Sequence, residues 1–331
     1  MKISIHSPRL APLCGVAVLT CALGLGIGNV AAMGQNDSQP RAAAGQKTFA
    51  SPEDAIAALK AAATEPDKTG LHKLFGPEFK QLLTGDPAQD EKHAEKFAAA
   101  VGQSCKPIPE GDDKIILDIG TNGWPMPIPL VRVDGRWHFD TAQGKEEIVA
   151  RHIGKDELHA IGVCRAYVKA QLAYAKQNAG PNGSYALKFK SSPDQKDGLF
   201  WAAAGSDSLS PFGSVLANSE TDGLVNDSST APKPFHGYYF RILTAQGEAA
   251  PGGKKNYMAG GMLADGFALV AYPSQWDASG IMTFIVNEDG NVYEQNLGER
   301  TAGIARKMKE YNPTGDWKQV QDEGILNVAA D

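Results

Sequence analysis

The sequence predicts an α+β protein: an N-terminal layer of helices then strands, a long central helix, and a C-terminal four-stranded antiparallel meander. Three observations predict this. Helix-start signals and helical spacing run from residue 49 to about 101, then give way to short β-branched and aromatic runs around turn pairs such as Asp134-Gly135. Residues 145–177 keep helical spacing far longer than an ordinary helix. Four further β-type runs, at 237–244, 266–272, 280–287 and 291–295, are separated by turn-forming residues. With 331 residues, 42% hydrophobic and 21% charged, the chain is long enough for two domains, read as 49–150 and 151–331.

The first 32 residues read as a signal peptide. Lys2 and Arg9 precede an apolar, uncharged stretch, and Val30-Ala31-Ala32 offers small residues for cleavage after Ala32. An uncleaved anchor helix is the alternative, opposed by the four glycines and Asn29 within the stretch. A lipoprotein attached through Cys21 is opposed by Thr20, where a smaller residue is expected. Cleavage removes two positive charges and no negative ones, taking the net charge from −6 to −8. The mature protein is therefore expected in the periplasm or secreted, with no stable membrane span. Its weakly acidic balance and lack of a basic cluster argue against a nucleic-acid partner.

Residues 33–48 are polar and aperiodic, which predicts a flexible linker. Ser51-Pro52-Glu53-Asp54 is a full helix-start signal: an N-cap hydroxyl, proline at the first position and acids in the first turn. Short helices follow at 69–75, 77–83 and 90–101. Strands are predicted at 114–119, 130–133 and 136–139, the last two joined by Asp134-Gly135. Pro125, Pro127 and Pro129 make the entry to this hairpin an extended edge. The central helix, with a break expected at Gly154, carries two apolar stripes: Ile161, Cys164, Val168 and Leu172, and Val163, Tyr167, Ala170 and Tyr174. Together they demand packing on two sides. Trp201 and Phe212 are candidate anchors of a loop-rich stretch, and a last helix is expected at 300–311.

The stretches "FASPEDAIAALKAA", "WPMPIPLVRVDGRWHFDTAQGKEEI", "ELHAIGVCRAYVKAQLAYA", "FHGYYFRILTAQG" and "SGIMTFIVNEDGNVYEQNLG" resemble the bacterial family catalogued as domain of unknown function 2950. The resemblance implies an exported envelope protein and no particular activity. At the level of element order, the N-terminal half is similar to a nuclear-transport-factor-like cone. The C-terminal half is similar to the globular part of a pseudopilin, without the apolar N-terminal segment that builds fibres. Fold likeness of this kind does not assign function.

No motif for chemistry converges. There is no GxSxG for a serine nucleophile, and Gly205-Ser206-Asp207-Ser208 lacks the flanking strand and helix. His159 and Cys164 are five residues apart on one helix, about 140° around its axis. Gly252-Gly253-Lys254-Lys255 sits between strands, not before a helix, and Asn287-Glu288-Asp289-Gly290 reads as a hairpin turn. Glu146 and Glu147 are adjacent and point apart. His152, Asp156, Glu157 and His159 could ligate a metal, but the sequence favours a solvated charged face at a helix start. No catalytic residue, metal or cofactor is therefore expected. Cys105 and Cys164 could form a disulfide in an oxidising compartment; the alternative for Cys164 is a small core residue.

What remains is the strand "HGYYFRI". Alternation sends Tyr238, Phe240 and Ile242 to one face and His236, Tyr239 and Arg241 to the other. The second face is the candidate surface for a small ligand or an envelope protein, since tyrosine and arginine favour interfaces. The expected function is a non-catalytic binding or assembly module. The alternative is a periplasmic hydrolase-like enzyme with its site in the cleft between the two parts.

Overall fold

A computed structural model describes residues 41–65, 67–83, 86–178, 184–201, 210–213 and 233–321. The expected signal peptide and the Gly205–Ser208 loop lie outside the described residues. The elements are α1 (Pro52–Thr64), α2 (Thr69–Phe75), a 3₁₀ turn (Pro77–Leu82), α3 (Pro87–Gln103), β1 (Cys105–Pro109), β2 (Lys114–Ile119), β3 (Trp124–Pro125), β4 (Leu130–Val133), β5 (Arg136–Phe139) and α4 (Thr141–Asn178). They continue with β6 (Tyr238–Leu243), β7 (Ala245–Gln246), β8 (Lys255–Asn256), β9 (Met258–Ala259), β10 (Met262–Leu263), β11 (Ala268–Pro273), β12 (Met282–Asn287), β13 (Tyr293–Asn296), α5 (Thr301–Lys307), β14 (Glu310–Tyr311) and β15 (Lys318–Gln319).

In the N-terminal layer, the Ser51 hydroxyl caps α1 by accepting from the Asp54 amide at 3.2 Å. The antiparallel sheet runs β1-β2-β4-β5, with β3 also on β2. Asp134 and Gly135 both have positive φ, as a two-residue hairpin requires. Every second residue of β2 is buried, and Ile115, Leu117 and Ile119 meet Leu59, Leu74 and Phe139 in one hydrophobic cluster. The stretch expected to be linker is docked in its described part: the Gln46 amide donates to the carbonyls of Leu74 and Phe139.

The C-terminal sheet has the order β15-β13-β12-β11-β6, antiparallel throughout. It contains the expected four-stranded meander plus one edge strand. β11 is buried along its whole length because α4 and α5 both pack against it. A strand covered on both faces reads as the unbroken apolar run "ALVAYP". The last helix is shorter than expected, and residues 310–311 instead join the small β14-β7-β8 sheet.

α4 is one continuous helix of 38 residues, without a break at Gly154. Its first turn docks on the N-terminal layer, where the Thr141 hydroxyl donates to the Phe75 carbonyl at 2.7 Å. The Arg151 guanidinium donates to the Pro125 carbonyl at 2.7 Å and lies over the Trp124 ring. Its second half enters the other core, where seven of the eight stripe residues are buried and only Leu172 is exposed. Trp201 and Phe212 are buried in the same core.

Candidate functional site

Three elements meet midway along α4. The first is the helix face carrying His152, Asp156 and His159, spaced so that all three lie near one line. The second is the turn between Phe235 and Tyr238, which bond to each other through both backbone amides. Its two central residues, His236 and Gly237, have φ of 43° and 71°. That is the left-handed conformation of the tightest hairpin turns, and it places His236 at the tip. The third is the loop around Ser279, held to the turn by the Ser274 amide donating to the Gly237 carbonyl at 2.8 Å.

Here Asp156, His159 and His236 each offer a ligand atom within 4.8 Å of the others. Asp156 is only 4% exposed, yet its Oδ2 accepts no hydrogen bond. His152 Nε2 lies 3.3 Å from that oxygen without hydrogen-bonding geometry. Nδ1 of His159 is also buried without a partner. The His159 and His236 rings stack with centroids 4.2 Å apart. Gly237 is required at the turn, because a side chain there would overlap the Asp156 carboxylate.

Burial sets the electrostatics. It holds the Asp156 carboxyl above its usual range, against the opposing charges of His152, His236 and Lys155. It holds both His159 and His236 below the ordinary imidazole range, helped by Lys155. Burial thus disfavours the charged form of both imidazoles. The sequence reading of a solvated face at a helix start is corrected for Asp156. The helix begins at Thr141, so Asp156 is in its interior and buried. Glu157 serves the fold: one carboxylate oxygen accepts from the Ile281 and Met282 amides, each at 2.9 Å.

The candidate trio His236, Tyr239 and Arg241 does not form one face. The alternation of β6 starts at Tyr238, and the positive φ angles before it swing His236 toward α4. Arg241 is turned toward α5, where its guanidinium donates to the carbonyls of Ala305 and Met308. Tyr239 is half-buried against Tyr272, with ring centroids 5.6 Å apart. Of the face expected to be free, Arg241 is held by the chain's own last helix. Cys105 and Cys164 are free thiols, so of the two alternatives left open the disulfide is not formed. Cys105 packs against the N-terminal core, and Cys164 is fully buried in the other.

A groove of about 540 Å³ lies where the enzyme alternative would place its site, lined by Glu78, Lys145, Glu146, Ile153, Asp277 and Ile281 among others. Asp156, His159 and His236 do not line it. Beside the cluster, the Ser279 hydroxyl is engaged in its own turn, accepting from the Gln275 amide at 3.0 Å and donating to the Gln275 carbonyl. It is not presented as a nucleophile.

Residues 46–320 match the family model described as Protein of unknown function (DUF2950). No curated protein and no solved structure matches the chain.

Proposed function

The chain belongs to this family, whose description assigns no activity, and from that premise we propose an exported envelope protein that binds a ligand without turning it over, at the Asp156–His159–His236 cluster. The observation that carries the reading is the buried Oδ2 of Asp156, which accepts no hydrogen bond and lies among imidazoles. A buried carboxyl oxygen without a hydrogen bond is costly to take from water, and a bound ligand would recover part of that cost. The engaged Ser279 hydroxyl and the separation of the cluster from the groove favour binding over hydrolysis.

Export is supported by the charged, apolar and small-residue segments of residues 1–32. No helix among the described residues is long and apolar enough to cross a membrane. Of the trio read from sequence, His236 is the residue we assign to ligand contact, with Tyr239 and Arg241 supporting the strand.

Cell fractionation with mass spectrometry of the mature N-terminus tests export: a chain starting at Met33 in the envelope fraction is expected. A full-length cytoplasmic chain overturns it. Native mass spectrometry of protein purified from the envelope tests binding: an adduct present in the wild type and lost in Asp156→Asn is expected. Identical spectra would sink the binding reading.

A further inference from the structure

We propose that the ligand of this cluster is a divalent transition-metal ion of the zinc class. Asp156, His159 and His236 would be its protein ligands, and His152 is placed to complete the shell. This rests on the binding reading and names its ligand.

The donor set argues for the ion class. Two imidazoles and one carboxylate are the borderline nitrogen and oxygen donors that zinc(II) and its neighbours prefer. Calcium and magnesium take oxygen ligands, which this cluster supplies from a single side chain. An anion would meet the Asp156 carboxylate head-on. The soft thiolates and thioethers that select copper(I) are not in the cluster.

The geometry fits with one local movement. Tetrahedral zinc with bonds of about 2 Å holds its ligand atoms about 3.3 Å apart. The three donor atoms already lie within 4.8 Å of one another, and His152 Nε2 stands 3.3 Å from Asp156 Oδ2. The stacked rings must open, and His236 is the one able to turn: it is exposed at the tip of its turn, whereas Nδ1 of His159 is fixed and buried on the helix. The two orphaned atoms, Asp156 Oδ2 and His159 Nδ1, are the kind that ligation satisfies. An ion here would also clip α4 to the β6 turn, elements far apart in sequence.

The test uses the purified protein, stripped with a chelator and titrated with Zn²⁺ alone by calorimetry. One equivalent per chain is expected, with at least tenfold weaker affinity in Asp156→Asn and in His236→Ala. His93→Ala, at an exposed histidine on α3, should leave it unchanged. Co²⁺ as a probe should give intense visible bands in the wild type and lose them in the variants. Should Asp156→Asn unfold, His236→Ala at its exposed position still decides. Sub-stoichiometric uptake, or equal affinity in wild type and His236→Ala, overturns the metal assignment. An Asp156-dependent adduct of other mass would overturn the metal while leaving the binding reading in place.

Discussion

Gly237 and Asp156 share one space: the carboxylate of the helix residue lies where a side chain on the turn glycine would stand. Gly237→Ala must therefore displace the acid and also hold alanine at φ 71°. A loss of about 2 kcal/mol or more is expected from strain and overpacking. Urea denaturation should show a lower midpoint at an unchanged slope. Zinc affinity should fall with it.

Arg241 closes the end of α5 through the Ala305 and Met308 carbonyls. Arg241→Ala leaves both without that partner, at an expected cost of roughly 2–3 kcal/mol for a charged, half-buried hydrogen-bond donor. Arg241→Lys should restore only part, because an ammonium lacks the guanidinium's fork. Zinc uptake by folded Arg241→Ala should match wild type, which separates this residue from the site. A reduced stoichiometry would contradict the separation.

Burial raises the pKa of Glu294, and the charge of Glu157 adds to the effect against Lys318. The folded state therefore holds this proton more tightly than the unfolded one. Its stabilising contribution is complete below the unfolded value of about 4.3 and is lost as pH rises through the folded pKa. Glu294→Gln should thus melt higher than wild type at pH 7, with the difference closing toward pH 4. A difference that does not change between these two pH values would refute the assignment.

Burial pushes the Cys164 thiol up to about 12. In the chain from Met33 onward, a thiol reagent should label Cys105 slowly in the native state and both cysteines only after denaturation. Labelling without prior reduction should give the same count, since neither thiol is bonded. Rapid native labelling of Cys164 would mean that α4 is not packed as described.

The strands most legible from sequence are short β-branched and aromatic runs, two of them flanking a strong turn pair. β2, β4 and β5 have the expected bounds because the pattern "KIILDI" and the Asp134-Gly135 hairpin admit one register. β1 carries no strand signal, because Pro107 and Pro109 argue against a strand; it is tolerated as the edge of its sheet.

For the site, the spacing of His152, Asp156 and His159 was readable, but its burial was not. Burial comes from a turn and a loop much later in the chain. His236 was misplaced because periodicity cannot report a reversal of φ at a His-Gly pair. Gln171 gave no sequence signal at all. It sits fully buried within the apolar helix surface, and its amide pairs with both backbone groups of Ala186 at 2.8 Å. Only the tertiary fold supplies that partner.

The unbroken length of α4, roughly 57 Å at the usual rise, leaves no seam between the two cores. A protease cutting between residues 141 and 174 would first have to unwind a helix packed into both cores. Limited digestion should spare that span, and a gene split within it should yield two insoluble halves. The helix runs through both cores, and it sets the cluster near its midpoint.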